Sequence, residues 1–244
     1  MPAPRGNSNA RKYSADETVF DNIDSEEKAW LLGLIVSDGC LYERRMCVQI
    51  ALKHTDIDAL EKAKIILKYS GPIYTRLART YTSLKGIAYH HSESKTLCIY
   101  SKKIYFALIN LGVMPRKSTK ETLPKVHETL LPHLVRGTWD GDGAVYNNNN
   151  NRQQHHWRVA LVGSAPLLTS IADIAYSVVG VKKPVHKCKG NWHSFTLCSR
   201  NALKWCDYMY KDATVYMDRK YQKYLEMKKY YAEVDMKRAE KCGV

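Results

Sequence analysis

The stretch AWLLGLIVSDG, residues 29–39, returns in altered form as LVRGTWDGDG, residues 134–143. Each copy is an apolar run with helical periodicity that stops at Asp-Gly, and each has a glycine five residues before that Asp. A basic doublet follows each copy, at 116–117 and at 219–220. The two acids are 104 residues apart and the two doublets 103 apart, so one offset relates both features. The chain is therefore predicted to be a duplicated unit.

The pattern that follows each motif recurs in the same order and predicts the fold of one unit. Alternating and apolar runs indicate two strands, a helix, two further strands and a last helix. The predicted ranges are 40–42, 46–52, 56–68, 73–80, 96–100 and 101–111 in the first copy, and 144–147, 158–162, 164–179, 183–188, 193–197 and 199–210 in the second. The predicted fold class is α/β (α+β), with two tandem αββαββα repeats related by pseudo-twofold symmetry.

The same pattern divides the chain into five segments. The N-terminal stretch is polar and is predicted to be a flexible arm, and the stretch between the copies contains Pro124 and is predicted to be a linker. The predicted boundaries are 1–22 for the arm, 23–117 for the first repeat, 118–130 for the linker, 131–228 for the second repeat and 229–244 for a C-terminal helical extension.

Small residues lie four apart within each motif helix. Gly33 and Ser37 share one helix face, as do Gly137 and Gly141. Either helix alone could equally be an ordinary buried helix with incidental small residues. Because the pattern occurs twice, we expect the two helices to pack against each other through Gly33, Ser37, Gly137 and Gly141.

Each motif helix is predicted to end at an acid, Asp38 or Asp142, followed by a glycine. A carboxylate at a helix C-terminus is disfavoured by the helix dipole, and packing the helices together would bring two such carboxylates side by side. A lone Asp-Gly is usually a turn. Two of them at the ends of matched helices in a basic protein instead indicate a site for a hard divalent cation with oxygen ligands.

Composition points to an anionic partner. The chain has 244 residues, 45 % of them apolar, and a formal net charge of +14. Nucleic acid is the usual partner of such a charge. The longest apolar run is too short to span a membrane, and the N-terminus lacks the apolar core of a secretory signal. Seven cysteines without a Cys-x-x-Cys pair favour reduced thiols and an intracellular, reducing compartment.

Basic and aromatic residues on the predicted strands are candidate contacts to nucleic acid. On an isolated strand such residues more often form a solvated face, but here they occupy equivalent strands of the two copies. His186, Cys188, His193 and Cys198 are also clustered, although their spacing matches no structural zinc class. The candidate DNA-binding residues are Arg44, Arg45, Lys53, Tyr74, Arg76, Lys183, Lys187 and Lys189.

The two motifs together resemble the paired signature of the LAGLIDADG homing endonucleases, in the single-chain form that carries both copies. The resemblance covers about residues 20–230 and includes FDNIDSEEKAWLLGLIVSDG, GVMPRKS, LVRGTWDGDG and YKDATVYMDRKYQKY. It implies that the motif helices pack at the centre of the molecule. It also implies that two antiparallel sheets form a DNA-binding saddle and that both strands of a duplex are cut by metal-assisted hydrolysis.

The resemblance also implies roles for individual residues. Mg²⁺ would be bound by Asp38, Asp142 and the backbone carbonyls of Ser37 and Gly141, with Mn²⁺ or Ca²⁺ able to replace it in binding. By position, Lys117 and Lys220 would complete the catalytic set with Asp38 and Asp142. Val36 replaces an earlier acid of the motif that the second copy retains as Asp140, which is not the metal-binding position. A polar residue at the end of the second strand would assist, and Lys53 is the candidate in the first copy. The second copy has Val162-Gly163 where Lys53-His54 stand in the first, so it lacks a match for this residue.

The implied partner is double-stranded DNA with a long, asymmetric target site, with no membrane, no obligate protein partner, and intron RNA as a further partner. Two alternatives use the same scaffold: a maturase-type RNA-binding protein and a catalytically inactive DNA-binding regulator. Retention of both acids and both lysines argues against a protein that only binds. An intein origin is not expected, because no splicing nucleophile begins the chain and no His-Asn ends it.

Overall fold

The computed structural model describes residues 12–83, 86, 88–115, 120–148 and 156–242. Both motif sequences form helices whose last residue is the acid, as the sequence predicts. The helices are α1 (Glu26–Asp38), α2 (Ile57–Ile66), α3 (Lys102–Asn110), α4 (Leu131–Asp142), α5 (Ala165–Val179), α6 (Ser199–Tyr210) and α7 (Asp218–Cys242). The strands are β1 (Gly39–Tyr42), β2 (Cys47–Lys53), β3 (Tyr74–Arg76), β4 (Arg79–Thr82), β5 (Ala88–His91), β6 (Ser94–Tyr100), β7 (Gly143–Asn148), β8 (His156–Gly163), β9 (His186–Lys187) and β10 (His193–Cys198).

The two repeats have the same sheet topology. The first sheet has the order β1-β2-β6-β3 and the second the order β7-β8-β10-β9, and the paired strands are antiparallel. The register also matches, because Gly39 lies opposite Ile50 and Gly143 lies opposite Leu161. The prediction of two αββαββα repeats with antiparallel sheets is therefore confirmed.

Each sheet has one apolar face and one exposed face. In β2 and β6, Ile50 lies opposite Leu97 and Val48 lies opposite Ile99, and all four side chains are buried. The residues between them alternate to the other face, as the period of two in a strand requires. The helices cover the apolar faces, so the opposite faces of both sheets remain exposed.

The motif helices α1 and α4 lie at the centre of the core. In α1 every residue from Ala29 to Val36 is buried, including Trp30, and in α4 Trp139 is buried as well. A helix that is apolar on every side must be covered on every side. The structure achieves this by packing α1 against α4, with the remaining helices outside them. Within the described residues, no helix is long and apolar enough to cross a membrane.

Two predicted boundaries differ from the structure. Residues 12–22 do not behave as a flexible arm, since Val19 and Phe20 are buried and the Asp16 amide donates to the Leu67 carbonyl at 2.7 Å. Their burial, with Tyr13 and Ala15 packed against the same core, anchors this stretch. At the other end, α7 runs without interruption across the predicted 228/229 boundary, so the predicted C-terminal extension is the second half of this helix.

Two predicted strands are shorter than expected. The predicted strand 73–80 divides into β3 in the first sheet and β4 in a separate hairpin with β5. In one continuous strand Tyr74, Arg76, Ala78 and Thr80 would share a face, but Ala78 and Thr80 lie outside β3 and do not continue the face of Tyr74. The predicted strand 183–188 is reduced to β9, two residues long. β3 ends at Arg76 because its partner there, Ser94, is the first residue of β6. In the predicted strand 183–188, Pro184 has no amide to donate to the neighbouring strand β10.

Candidate active site and DNA-facing surface

The motif helices approach each other through their glycines. A Cβ atom added to Gly33 would lie 2.1 Å from the Leu134 carbonyl oxygen, and one added to Gly137 would lie 1.9 Å from the Trp30 carbonyl oxygen. Both distances are far below a van der Waals contact, so only glycine fits at these positions. The predicted helix interface through Gly33 and Gly137 is therefore present, and it is made by backbone against backbone.

The same contact brings the two motif ends together. A Cβ atom added to Gly141 would lie 1.9 Å from Ser37 Oγ and 2.6 Å from Asp38 Oδ2. Ser37 therefore lies in the interface with Gly141, as predicted, and its hydroxyl donates to the Leu34 carbonyl at 3.1 Å. The carboxylate of Asp38 lies beside the backbone that leads into Asp142. The two acids thus belong to one shared centre at the ends of the crossing helices.

A cavity of about 370 Å³ opens beside this centre. It is lined by Ser37 and Asp142 and by Glu121, which the sequence analysis did not single out. The Glu121 Oε2 atom is buried without a hydrogen-bond partner, and the Glu121 carbonyl accepts from Ser164 Oγ at 2.5 Å. No sequence signal marks Glu121, because its place depends on how the segment before α4 crosses the second repeat.

Lys220 is buried against the C-terminal end of α4. It is 3 % exposed, and its ammonium donates to the carbonyls of Trp139, Asp140 and Gly141 at 2.9, 2.5 and 2.8 Å. These are last-turn carbonyls, which a helix leaves largely without backbone donors, although the Trp139 carbonyl also accepts the amide of the capping residue Gly143. All three ammonium protons are used in this way, so Lys220 acts as a cap on the helix that carries Asp142. Burial lowers the pKa of Lys220 to about 8. The negative charge of Asp140 acts in the other direction and keeps the pKa from falling further.

Asp140 is a completely buried acid at the centre of this arrangement. Its carboxylate accepts from Trp30 Nε1 at 2.8 Å, from the Tyr210 hydroxyl at 2.6 Å and from the Met217 amide at 2.9 Å. Burial raises the pKa of Asp140, and the Lys220 charge and these hydrogen bonds oppose that rise. The sequence marks this acid only as a position outside the metal site, because its partners are 70 or more residues away.

Arg136, one turn before Asp140, provides a second buried anchor. Its guanidinium donates to the Val215 and Met209 carbonyls at 2.8 and 2.7 Å and to Glu26 Oε1 at 2.7 Å. Although burial raises the pKa of Glu26, backbone hydrogen bonds and the Arg136 charge lower it overall. Arg136 and Asp140 together fix the connection between α6 and α7 against α4.

The exposed face of the first sheet carries three of the predicted DNA contacts, Lys53, Tyr74 and Arg76. Lys53, Ser94 and Arg76 lie side by side across three strands, and Tyr74 lies one row away opposite Thr96. Residues opposite each other share a sheet face, so Lys53, Tyr74 and Arg76 all project to the exposed side. The last two predicted contacts of this repeat, Arg44 and Arg45, lie in the exposed turn between β1 and β2 and line a groove of about 1130 Å³.

The structure places the predicted DNA contacts of the second repeat at the edge of its sheet or outside it. Lys187 lies opposite His193. Phe195, two residues after His193 on the same strand, is buried, so this row of side chains is on the core-facing side of the sheet. Lys187 therefore projects to that side, at the edge of the sheet. His186 instead lies opposite Ser194 on the exposed face. The shift of one residue reverses the face because side chains alternate along a strand. Lys183 and Lys189 are exposed but lie outside β9.

Arg158 and Tyr146 are exposed-face residues that the sequence analysis missed. They lie opposite each other on β8 and β7, in one row with Cys198. Apolar residues alternate along this strand at Trp157, Val159 and Leu161, and all three are buried. This alternation predicts that Arg158, which lies between two of them, projects from the outer face.

Lys117, the predicted basic residue of the first repeat, lies outside the described residues. Within the described part of the chain, no group of three or more His, Cys, Asp or Glu side chains is arranged to hold a metal ion.

Comparison with known proteins shows the fold of this chain. No family model matches it, and no curated protein matches it in sequence. The homing endonuclease I-WcaI bound to its DNA recognition sequence is 10 % identical, with a TM-score of 0.55 over 82 % of this chain and 87 % of that one. Meganuclease I-SmaMI bound to uncleaveable DNA is 12 % identical, with a TM-score of 0.54 over 89 % and 92 %. The I-LtrWI LAGLIDADG homing endonuclease bound to target DNA is 10 % identical, with a TM-score of 0.51 over 88 % and 92 %.

Proposed function

We propose that this chain, which has the fold of the LAGLIDADG homing endonucleases, is a site-specific DNA endonuclease. It would hold a long duplex across its two exposed sheet faces and make a double-strand break at Asp38 and Asp142. The observation that carries this proposal is the shared centre, in which two carboxylates end two helices in backbone contact. Two sheets of identical topology flank that centre, as expected for a protein that follows both halves of one duplex.

Charge and surface chemistry support duplex DNA as the partner. The chain carries a formal net charge of +14, and cationic side chains project from the exposed sheet face at Lys53 and Arg76 and from the turn at Arg44 and Arg45. Such groups contact phosphates and the edges of bases in the major groove. The I-WcaI, I-SmaMI and I-LtrWI structures are described as bound to DNA, and one further I-SmaMI structure is bound to cleaved DNA.

The residues at the centre fit a hard divalent cation. Asp38 and Asp142 offer carboxylate oxygens, and the unpartnered Glu121 Oε2 belongs to a residue lining the cavity beside Asp142. Mg²⁺ binds through one or two carboxylates and keeps several waters, so it does not require a cluster of three acidic side chains. When bound, it would stabilise charge on the phosphate and activate a water. I-SmaMI is also described with uncleaved target in the presence of calcium ions, which supports a divalent cation here.

The chain's own residues have distinct tasks in this proposal. Asp38 and Asp142 hold the cation, with the backbone carbonyls of Ser37 and Gly141 as further oxygen ligands. A carbonyl has two lone pairs, and Lys220 uses one of those on Gly141, which leaves the other available. Lys220 contributes by holding the end of α4, and Lys117 is proposed as the basic residue of the first half.

The test is cleavage by variants of the two acids. A duplex target is first selected from a randomised library with the purified chain, and binding and cleavage are then measured with Mg²⁺. Asp38→Asn and Asp142→Asn should each abolish cleavage and retain specific binding, since each removes a metal ligand and some repulsion from phosphate. Because the two motif ends are in contact, we expect each variant to lose both cuts rather than to become a nickase.

Asp212→Asn is the matched control for these variants. It removes one carboxylate from an exposed residue at φ 63°, a conformation that Asn adopts readily. Its cleavage should equal that of the parent. Cleavage by both acid variants at the parent rate would refute the catalytic assignment. A parent chain that binds duplex DNA without cutting it in Mg²⁺ or Mn²⁺ would indicate an inactive regulator, and a preference for structured RNA would indicate a maturase.

A further inference from the structure

Asp140 lies two residues before Asp142 and is tied to three other parts of the chain. Its hydrogen bonds come from Trp30 on α1, Tyr210 on α6 and the Met217 amide just before α7. A completely buried carboxylate loses its hydration, which costs free energy that an apolar side chain at the same position does not. Stability alone therefore does not account for an acid at this position, and a role in placing nearby groups does.

The contacts of Asp140 form a closed loop around the end of α4. Its side chain fixes Met217, whose carbonyl accepts the amides of Lys220 and Tyr221 in the first turn of α7. Lys220 then returns to α4 and donates to the carbonyls of Asp140 and Gly141. The start of α7 is thus hydrogen-bonded to the last turn of α4 at two points, through the Met217 amide and through the Lys220 ammonium, next to Asp142 in the sequence.

The first repeat has no acid at the equivalent position. Val36 lies two residues before Asp38, as Asp140 lies two before Asp142, and it is 3 % exposed. An apolar side chain cannot accept the amide and indole protons that Asp140 accepts. The two halves of the centre are therefore built differently, although their backbones and acids match.

We propose that Asp140 is a positioning residue for one half of the catalytic centre. Through Met217 and Lys220 it fixes the Gly141 carbonyl, which would serve one half of the centre, rather than the Asp142 carboxylate, on which both cuts depend. Asp140 would therefore support the cutting of one DNA strand more than the other. Asp140 itself touches no substrate. This inference rests on the proposed endonuclease function, and it adds that the two strands depend on different supporting residues.

The experiment measures the two strands separately. Single-turnover cleavage by the full chain is followed on a duplex target with each strand labelled, at saturating protein and Mg²⁺. Asp140→Asn should slow one strand about 10- to 100-fold, the usual effect of losing a group that orients a metal ligand. The other strand should change much less. Trp30→Phe and Tyr210→Phe, which each remove one of the three donors, should slow the same strand by smaller factors.

A second readout does not depend on cleavage. The calcium concentration that half-saturates the complex of protein and DNA, measured by titration calorimetry, should rise in Asp140→Asn, because the oxygen ligands near Asp142 are less well placed. Leu108→Ala is the control for general destabilisation, since Leu108 is buried on α3, a helix that packs against β2. It should lower the melting temperature and leave the ratio of the two strand rates unchanged.

The possible outcomes separate this inference from the proposed function. A parent chain that binds DNA but cuts neither strand contradicts the proposed function and the inference with it. A parent that cuts, with Asp140→Asn slowing both strands equally as any destabilised variant does, overturns the inference alone. If Asp140→Asn does not fold, the strand ratios of Trp30→Phe and Tyr210→Phe decide, and unchanged ratios in both overturn it.

Discussion

Replacing Gly137 by alanine should separate the two motif helices. The added Cβ atom would lie 1.9 Å from the Trp30 carbonyl oxygen and 2.8 Å from its carbonyl carbon. A carbon–oxygen contact needs about 3.3 Å. Because the obstacle is the backbone of a buried helix, no side-chain rotation can relieve it, and α1 and α4 must move apart by about 1 Å. The corresponding Cβ at Gly33 would lie 2.1 Å from the Leu134 carbonyl, so Gly33→Ala should behave alike, and Gly33→Leu should be worse.

The cost in stability follows from this displacement. Overpacking a core typically costs about 1–3 kcal/mol, and a backbone clash between central helices belongs at the upper end. Alanine recovers about 1 kcal/mol over glycine in a helix, which leaves a net loss of about 2 kcal/mol. For a chain of this size that corresponds to a melting temperature about 4–8 °C lower. Cleavage should fall further, by about 100-fold, because a displacement of 1 Å at a catalytic centre has that effect.

Thermal unfolding by circular dichroism, with single-turnover cleavage well below the melting temperature, measures both quantities. Gly163→Ala is the stability control, because its Cβ would meet only the side chains of Leu167 and Leu168, at 3.4 Å and beyond, which are ordinary contacts. Its melting temperature should remain within about 2 °C of the parent value, consistent with a change of under about 0.5 kcal/mol. A Gly137→Ala chain that melts at or above the parent temperature would refute the backbone contact on which the shared centre depends.

Three further predictions concern charges. Lys220→Met should cost about 3–5 kcal/mol of unfolding free energy, because it leaves the buried carbonyls at the end of α4 without their donor and removes a charge that favours the ionised form of Asp140. Lys223→Met, the exposed control on the same helix, should cost under about 0.5 kcal/mol, and similar urea midpoints for the two would contradict the cap. Although burial raises the pKa of Asp56, its pair with Arg219 lowers it overall, so the stability it confers is present above about pH 3.8 and lost as pH falls through the lower folded pKa. Asp56→Asn should therefore show a shallower loss of stability between about pH 4 and 2, and parallel acid curves would exclude this pair as a source. Finally, log K for duplex DNA against log salt should have a slope of about −5 or steeper, and a slope near zero would exclude a phosphate-tracking surface.

The sequence by itself determined the repeat, the motif helices and their contact. Helical periodicity, a glycine at one fixed offset and an acid at the helix end are local features, and their recurrence in two copies made each informative. The close approach at Gly33 and Gly137 could be predicted because only glycine permits it. The two sheets could be predicted from the alternation of apolar and polar residues along the strands. The position of Asp38 beside the end of α4 could be predicted from the packing of one motif helix on the other.

Tertiary structure decided where the polar groups of the second repeat project. Lys220 was predicted from its position to serve catalysis, yet it caps α4, because Asp140 and the helix carbonyls surround it in a buried place that no local pattern reveals. Lys187 was assigned to the DNA-facing side, but the pairing of β9 with β10 sets its face, and a shift of one residue exchanges it with His186. Burial and strand register both depend on residues far away in the chain, whereas periodicity reports only on neighbours. For that reason the acids and glycines could be found from the sequence, while the network that supports them could not.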